Sequence, residues 1–94
     1  MTGGQGQASR QVAITNQRGL HARASAKFVN VASGLDAKID VEKDGQKVCG
    51  TSIMGLMMLG AANGDSILIH CEGPYCEQAL ATLVELVEDR FGEE

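Results

Sequence analysis

The feature that most constrains this fold is a run of alternating side chains that ends at a tight-turn dipeptide. Residues 37–42, AKIDVE, alternate apolar and polar positions, which predicts a strand with one buried and one polar face. Asp44-Gly45 follows, and this dipeptide is a common centre of two-residue hairpins. Residues 46–50 are therefore predicted to return as the second strand of an antiparallel pair.

The same reading of the remaining chain gives a complete order of elements. Strands are predicted over residues 11–15 and 66–71, and helices over residues 22–33, over residues 52–60 and from Gly73-Pro74 onward. The order β-α-β-β-α-β-α predicts an α+β fold, in which a four-stranded antiparallel sheet carries three helices on one face.

The beginning of the chain is predicted to lie outside this domain. Residues 1–9 are mostly glycine, glutamine and other small or polar types, so we expect a flexible tail. Residues 10–94 are then a single domain, since a chain of 94 residues leaves no room for a second one. A large cofactor would occupy most of the core, and we expect none.

Apolar residues at helical spacing predict the buried faces of the first and last helices. In the first helix they are Ala22, Ala26, Val29 and Ala32, and Gly34 is expected to end that helix in the left-handed conformation. In the last helix the apolar stripe consists of Ala79, Leu80, Leu83, Val87 and Phe91.

The charges exclude one class of partner and are unevenly distributed. A net charge of −4 argues against nucleic-acid binding, which requires a basic face. Basic Arg18, Arg23 and Lys27 nevertheless cluster around His21 in the sequence. The end of the chain is acidic, and its acidic residues are Glu85, Glu88, Asp89, Glu93 and Glu94. We interpret this acidic helix as a solvated face.

The cysteines indicate neither a disulfide framework nor a metal site. The chain has three cysteines, Cys49, Cys71 and Cys76. An odd number without CxxC spacing is typical of reduced thiols in a cytoplasmic protein. His70 and Cys71 are neighbours on a predicted strand, so they point to opposite faces and cannot readily share a metal. We expect no signal peptide, because the sequence begins without an apolar stretch, and no membrane span, because the longest apolar run is too short. His70 is expected to have no chemical role.

His21 is predicted at the start of the first helix, where free backbone N–H groups favour an anion. Gly19 permits a sharp turn before it, and Arg23 can donate two hydrogen bonds to phosphate oxygens. Histidine can accept a phosphoryl group covalently, and no nucleotide-binding loop is present, so the group would come from another protein. From the residues alone, His21 is either this acceptor or an ordinary polar residue at a helix start.

Two motifs carry a resemblance that favours the acceptor. GLHARASAKFV, residues 19–29, resembles the active-site motif of HPr, the phosphocarrier family of the bacterial phosphoenolpyruvate-dependent phosphotransferase system. TSIMGLMMLGAANGD, residues 51–65, is similar to that family's regulatory-serine helix and the turn after it. The resemblance covers about residues 10–91 and implies the HPr fold, an open-faced β-sandwich.

The resemblance implies a role for each motif residue. His21 would accept a phosphoryl group on Nδ1 from Enzyme I and pass it to an EIIA-type protein, with Arg23 contacting the group. The family usually has proline where this chain has Ala24, so the helix start is expected to be looser. Arg18 stands where small polar residues are common, and we expect it to stabilise charge or to help docking, as Lys27 would. The motif GLHARAS resembles the nitrogen-related branch of the family.

The second motif combines a structural role with a regulatory one. Ser52 is predicted to cap the short helix, and the resemblance makes it the target of HPr kinase/phosphorylase. Leu56 and Leu59 fall on one side of that helix. Ile53, Met54, Met57 and Met58 fall on the other side. A short helix on a sheet cannot bury both sides, so we expect an exposed patch for partners, which includes Ile53, Met54 and Met57.

Two functions remain open at this point. The first is a monomeric histidine phosphocarrier in a relay between proteins, which would be a carrier rather than a stand-alone enzyme. The alternative is a non-catalytic, HPr-like regulatory module that binds partners through this exposed patch on the short helix. The presence of both His21 and Arg23 favours the carrier.

Overall fold

The computed structural model describes residues 6–93, which form a four-stranded antiparallel sheet with helices packed on one face. The predicted α+β class and the predicted order of strands and helices are confirmed. The elements are β1 (Gln7–Ala13), α1 (Ala22–Ser33), β2 (Lys38–Lys43), β3 (Gln46–Cys49), α2 (Ile53–Met58), β4 (Ser66–Glu72), α3 (Cys76–Glu88) and a one-turn helix (Arg90–Gly92).

The sheet has the strand order β1-β4-β2-β3, and its second and third strands form the predicted hairpin. Lys43 pairs with Gln46 next to the turn, where Asp44 and Gly45 have φ values of 52° and 83°. Two consecutive positive φ values are what the favoured two-residue hairpin turn requires. The last strand, β4, lies between β1 and β2, so the first and last strands of the chain are paired with each other.

The first strand begins earlier than predicted. Residues 7–9, which the sequence assigned to the tail, belong to β1, and Gln7 and Ser9 pair with Glu72 and His70 of β4. The alternation did not reveal this part of the strand, because among the residues of β1 only Val12 is fully buried. The rest of the predicted tail, residues 1–5, lies outside the described residues.

The core lies between the sheet and the helices. Ile39, Val41, Ile67 and Ile69 point inward from β2 and β4, as the alternation predicted. The whole predicted stripe of the last helix is also buried. Its final member, Phe91, lies in the one-turn helix rather than in α3.

The predicted bounds of α1, residues 22–33, are confirmed, but most of its predicted buried face and the left-handed conformation expected of Gly34 were wrong. The buried residues are Ala24, Ser25, Phe28 and Ala32, whereas Ala22 is exposed. Four alanines left several equivalent faces open, and the large Phe28 ring selects the face that is buried. Gly34 has a φ of −90°, because the chain leaves the helix through a tightened right-handed turn. Its N–H group donates to the carbonyl of Val31.

A close approach at Gly19 fixes where α1 begins. Gly19 has a φ of 66°, and a Cβ atom added there would lie 2.3 Å from the carbonyl oxygen of Ala61. The next residue, Leu20, donates its N–H to that same oxygen at 2.9 Å. The turn before α1 is therefore held against the loop that follows α2, and only glycine fits there.

We expect Gly19→Ala to destabilise the protein more than Gly60→Ala does. Gly60 has a similar φ of 64° but open space around its Cα, so its substitution tests the backbone conformation alone. That conformation costs an alanine about 1–2 kcal/mol. The overlap with Ala61 should add about 1–3 kcal/mol at Gly19. Urea unfolding of both variants measures the difference, and equal losses would contradict the close approach.

Candidate functional site

His21 is the N-cap residue of α1, as predicted. Its backbone is extended, with φ −74° and ψ −178°, and its carbonyl accepts from the N–H of Ser25 at 2.9 Å. Its Nδ1 atom accepts from the N–H of Arg23 at 3.3 Å. Within residues 6–93, no group accepts from the N–H groups of Ala22 and Ala24. The first turn therefore presents backbone donors beside Nδ1, which is the geometry of an anion site.

The other ring nitrogen of His21 contacts a carboxylate. Nε2 lies 2.6 Å from Oε2 of Glu93, while the other carboxylate oxygen of Glu93 accepts from the side-chain amide of Asn16 at 3.2 Å. Because Nδ1 accepts a backbone hydrogen bond, the ring proton belongs on Nε2, where the carboxylate accepts it. The His21 side chain is 14% exposed. Its Nδ1 lone pair is thus directed at the N–H of Arg23 in the first turn of α1.

Sequence reasoning missed the contact with Glu93. We placed this residue in the solvated acidic end of the chain, 72 positions from His21. The one-turn helix reverses the chain, since Arg90, Phe91 and Gly92 all have positive φ values, of 58°, 55° and 76°. Burial of Phe91 and a 2.8 Å hydrogen bond from Lys27 Nζ to its carbonyl hold this turn in place. Nothing in the local sequence pattern indicates such a left-handed turn.

The surroundings of Glu93 keep its carboxyl group ionised. Burial alone would raise its pKa, but hydrogen bonds from His21 and Asn16, together with the positive charge of a protonated His21 and that of Lys27, outweigh that effect and lower it. At neutral pH the group beside Nε2 is therefore a carboxylate, which accepts hydrogen bonds and does not donate them.

The three basic residues of the predicted cluster lie around the helix start. Arg18 and Arg23 are exposed, and Lys27 lies one turn further along α1, where it contacts the end of the chain. Ala24 is fully buried, and α1 begins at Ala22 without the proline that is usual in similar motifs. An alanine here keeps an N–H group that a proline would lack.

Ser52 caps α2, as predicted. Its Oγ atom accepts from the N–H of Gly55 at 3.0 Å, and its carbonyl accepts from Leu56 at the same distance. A Cβ atom at position 55 would lie 3.1 Å from that hydroxyl oxygen, so glycine leaves room for the cap.

The short helix α2 has two apolar sides, and one of them is exposed as predicted. Leu56 and Leu59 belong to the core, with exposures of 0% and 6%. On the opposite side, exposure is 40% for Ile53, 74% for Met54, 43% for Met57 and 68% for Met58. We call these four residues the methionine patch. α1 packs against α2, and the hydrogen bond from Leu20 to Ala61 joins the residue before His21 to the loop that follows α2.

A second histidine forms a polar cluster on the open face of the sheet. His70 Nδ1 lies 2.8 Å from the hydroxyl of Ser9, and its Nε2 lies 2.9 Å from a carboxylate oxygen of Glu42. The three side chains come from β1, β4 and β2, so they link three strands. The adjacent Cys71 is buried on the opposite face, as predicted, and burial raises its pKa to about 11. This thiol is therefore protonated at neutral pH.

The described residues do not present a metal site or a membrane span. Within residues 6–93, no three His, Cys, Asp or Glu side chains are grouped as metal ligands. Among the same residues, none of the helices combines the length and the apolar character that a bilayer-spanning helix needs.

Comparison with known proteins gives a consistent result. Residues 8–89 match the family model PTS-HPr, described as the PTS HPr component phosphorylation site. The phosphocarrier protein HPr of Pseudomonas aeruginosa is 44% identical over 84 residues, which are 88% of this chain and 93% of that protein. The phosphocarrier protein NPr of Shewanella violacea is 38% identical over 84 residues, which are 89% of this chain and 92% of that protein.

The solved structures agree with these matches. A crystal structure of HPr-C-His from Thermoanaerobacter tengcongensis superimposes with a TM-score of 0.88 at 45% identity. The match covers 93% of this chain and 98% of that one. The open-faced sandwich expected from the sequence is therefore the fold of this protein.

We expect Ser52→Ala to destabilise the protein by about 0.5–2 kcal/mol, because the N–H group of Gly55 loses its capping acceptor. Ser52→Asp should keep most of the stability, since a carboxylate also caps a helix. Thr51→Ala is the control, as the neighbouring hydroxyl does not cap α2. Chemical denaturation measures all three variants, and a loss in Thr51→Ala equal to that in Ser52→Ala would contradict the capping role.

Proposed function

The chain belongs to the HPr family of phosphotransferase-system phosphocarriers, and we propose that it carries the phosphoryl group on Nδ1 of His21. The observation that carries this proposal is the state of the imidazole ring. Nδ1 accepts only the long 3.3 Å hydrogen bond from the N–H of Arg23, and Nε2 contacts the Glu93 carboxylate, a pattern that fits a ring with its proton on Nε2. A neutral imidazole with this orientation can attack phosphorus as a nucleophile.

The groups around Nδ1 suit the charge that would arrive there. The backbone N–H groups of Ala22, Arg23 and Ala24 lie at the positive end of a 12-residue helix. The exposed guanidinium group of Arg23 can add two hydrogen bonds to phosphoryl oxygens. These donors are in place before the group arrives, so little reorganisation would oppose its transfer.

We assign Enzyme I as the donor and an EIIA-type protein as the acceptor. Both partners would have to bring a histidine close to His21, and the exposed surface beside it offers the means. The methionine patch supplies apolar area, while Arg18, Arg23 and Lys27 supply positive charge. Flexible methionines can adapt to the shapes of two different partners.

Phosphorylation of Ser52 by an HPr kinase/phosphorylase would regulate this transfer. The Ser52 side chain is partly accessible, and Ile53 and Met54 of the methionine patch follow directly. A phosphate there would place about −1.5 to −2 charges beside an apolar docking surface. An acidic partner surface would then be repelled, and docking would weaken.

The branch of the family stays a prediction. Relatives named HPr match this chain at 38–44% identity and a relative named NPr matches it at 38%, so overall similarity does not favour the nitrogen-related branch.

The carrier function predicts an acid-labile gain of one phosphoryl group on His21. The protein is incubated with Enzyme I and phosphoenolpyruvate, and its intact mass is measured before and after mild acid. His21→Ala should show no gain, whereas His70→Ala should behave as the wild-type protein does. If no Enzyme I phosphorylates the wild-type protein, the non-catalytic interaction module becomes the better account.

Ser52→Asp should slow phosphorylation of His21 by Enzyme I at least several-fold, with a larger effect at low salt because screening is weaker there. Ser52→Asn is the matched control, since asparagine also caps helices but adds no charge. Initial rates of phosphoryl uptake at two salt concentrations test this. Equal rates for the Asp and Asn variants would rule out regulation through charge at this position.

A further inference from the structure

The contact between His21 and Glu93 goes beyond what a surface ion pair requires. Both oxygens of the Glu93 carboxylate are engaged, one by the ring of His21 and the other by the amide of Asn16. We propose that Glu93 is a positioning residue that keeps the ring proton of His21 on Nε2 throughout phosphoryl transfer. The inference rests on the proposed function of His21 as the carrier residue.

The backbone conformation after α3 brings Glu93 next to His21. Three consecutive residues with positive φ, Arg90 to Gly92, reverse the chain after α3, and two of them are not glycine. Such a conformation persists only when its surroundings hold it. Here the buried ring of Phe91 and the hydrogen bond from Lys27 to its carbonyl do so. Glu93 follows this turn directly.

Asn16 connects the carboxylate to the turn that positions His21. The residue is 1% exposed, and its side-chain nitrogen donates to the carbonyl of Gly19 at 2.8 Å as well as to Glu93. The amide nitrogen can only donate, so it needs an acceptor at position 93. A carboxylate accepts from Asn16 and from His21 at the same time.

The Glu93 carboxylate lies beside the positive charge that forms on the His21 ring when the phosphoryl group is bound. The lone pair of Nδ1 forms the new P–N bond, while the bond from phosphorus to the donor's nitrogen breaks and its electron pair stays on that nitrogen. The His21 ring then carries a positive charge, with its proton on Nε2 facing Glu93. When the acceptor takes the phosphoryl group, the Nδ1 pair returns and the ring is neutral again. No proton has to enter or leave the site.

The substitution Glu93→Gln would put an amide in place of the carboxylate, with the opposite effect on the ring. The single oxygen of that amide is claimed by Asn16, so its NH₂ group would face Nε2 and force that nitrogen to accept. The ring proton would then move to Nδ1, and the nucleophilic lone pair would be lost. Glu93→Ala removes the carboxylate without imposing the wrong proton position. Glu93→Gln should therefore be worse than Glu93→Ala, an order that loss of packing alone would reverse.

The test measures the position of the ring proton first and the rate of phosphoryl uptake second. ¹⁵N NMR of the imidazole should show the proton of His21 on Nε2 in the wild-type protein and in Glu88→Gln, an exposed charge-matched control on α3. In Glu93→Gln it should lie on Nδ1. Phosphoryl uptake from Enzyme I should fall roughly 10- to 100-fold in Glu93→Gln, by analogy with the loss of carboxylates that orient metal-bound histidines. In Glu93→Ala it should fall less.

Phosphoramidate, a small phosphoryl donor that needs no partner protein, separates this inference from the proposed function. It should phosphorylate Nδ1 in the wild-type protein, and the share on Nδ1 should drop in Glu93→Gln. If Enzyme I fails with the wild-type protein while these results hold, the carrier proposal fails and the role of Glu93 at the ring stands. An unchanged proton position in Glu93→Gln, or uptake within twofold of Glu88→Gln, would overturn the inference.

Discussion

The close approach of Gly19 to Ala61 is the constraint on which the rest of the site depends. It holds the turn before α1 against the loop after α2, and the hydrogen bond from Leu20 to Ala61 closes the contact. Two segments far apart in the chain are thereby placed side by side. The His21 ring follows the first of them, and the capped helix with its exposed methionines precedes the other. A side chain larger than hydrogen at position 19 would separate them.

The sequence predicted those features that depend on local pattern. The hairpin at Asp44-Gly45 follows from a dipeptide that tolerates positive φ, and the two faces of α2 follow from its spacing of apolar residues. His21 at a helix start was also predictable, because Gly19 precedes it and a helical pattern follows. Each of these features depends on residues within about one turn of one another.

The features that the sequence did not predict depend on contacts between distant segments. The beginning of β1 is set by pairing with β4, and few of its side chains are buried to show it. The buried face of α1 is selected by where Phe28 fits among several alanines. Glu93 reaches His21 only because a strained turn is held by the buried ring of Phe91. Such effects leave no periodic pattern in the sequence.

Charges of opposite sign lie on the two sides of the His21 ring. The helix start and the basic side chains of Arg18, Arg23 and Lys27 attract an anion, while Glu93 adds a negative charge on the far side of the ring. The carboxylate is directed at Nε2 rather than at Nδ1, so it acts on the charge of the ring more than on the incoming group. A site with only positive charge would hold a phosphoryl group firmly, which does not suit a protein that must release it.

The N-cap bond of His21 explains how such a site can be both stable and reversible. Nδ1 caps α1 through the N–H of Arg23, yet at 3.3 Å this hydrogen bond is long. If Nδ1 carries the phosphoryl group, as proposed, the same N–H could donate to a phosphoryl oxygen, so α1 would remain capped in both states. The helix would then gain or lose little when the group arrives or departs. A carrier between two proteins needs this near balance, because a large preference for either state would stop the relay at that state.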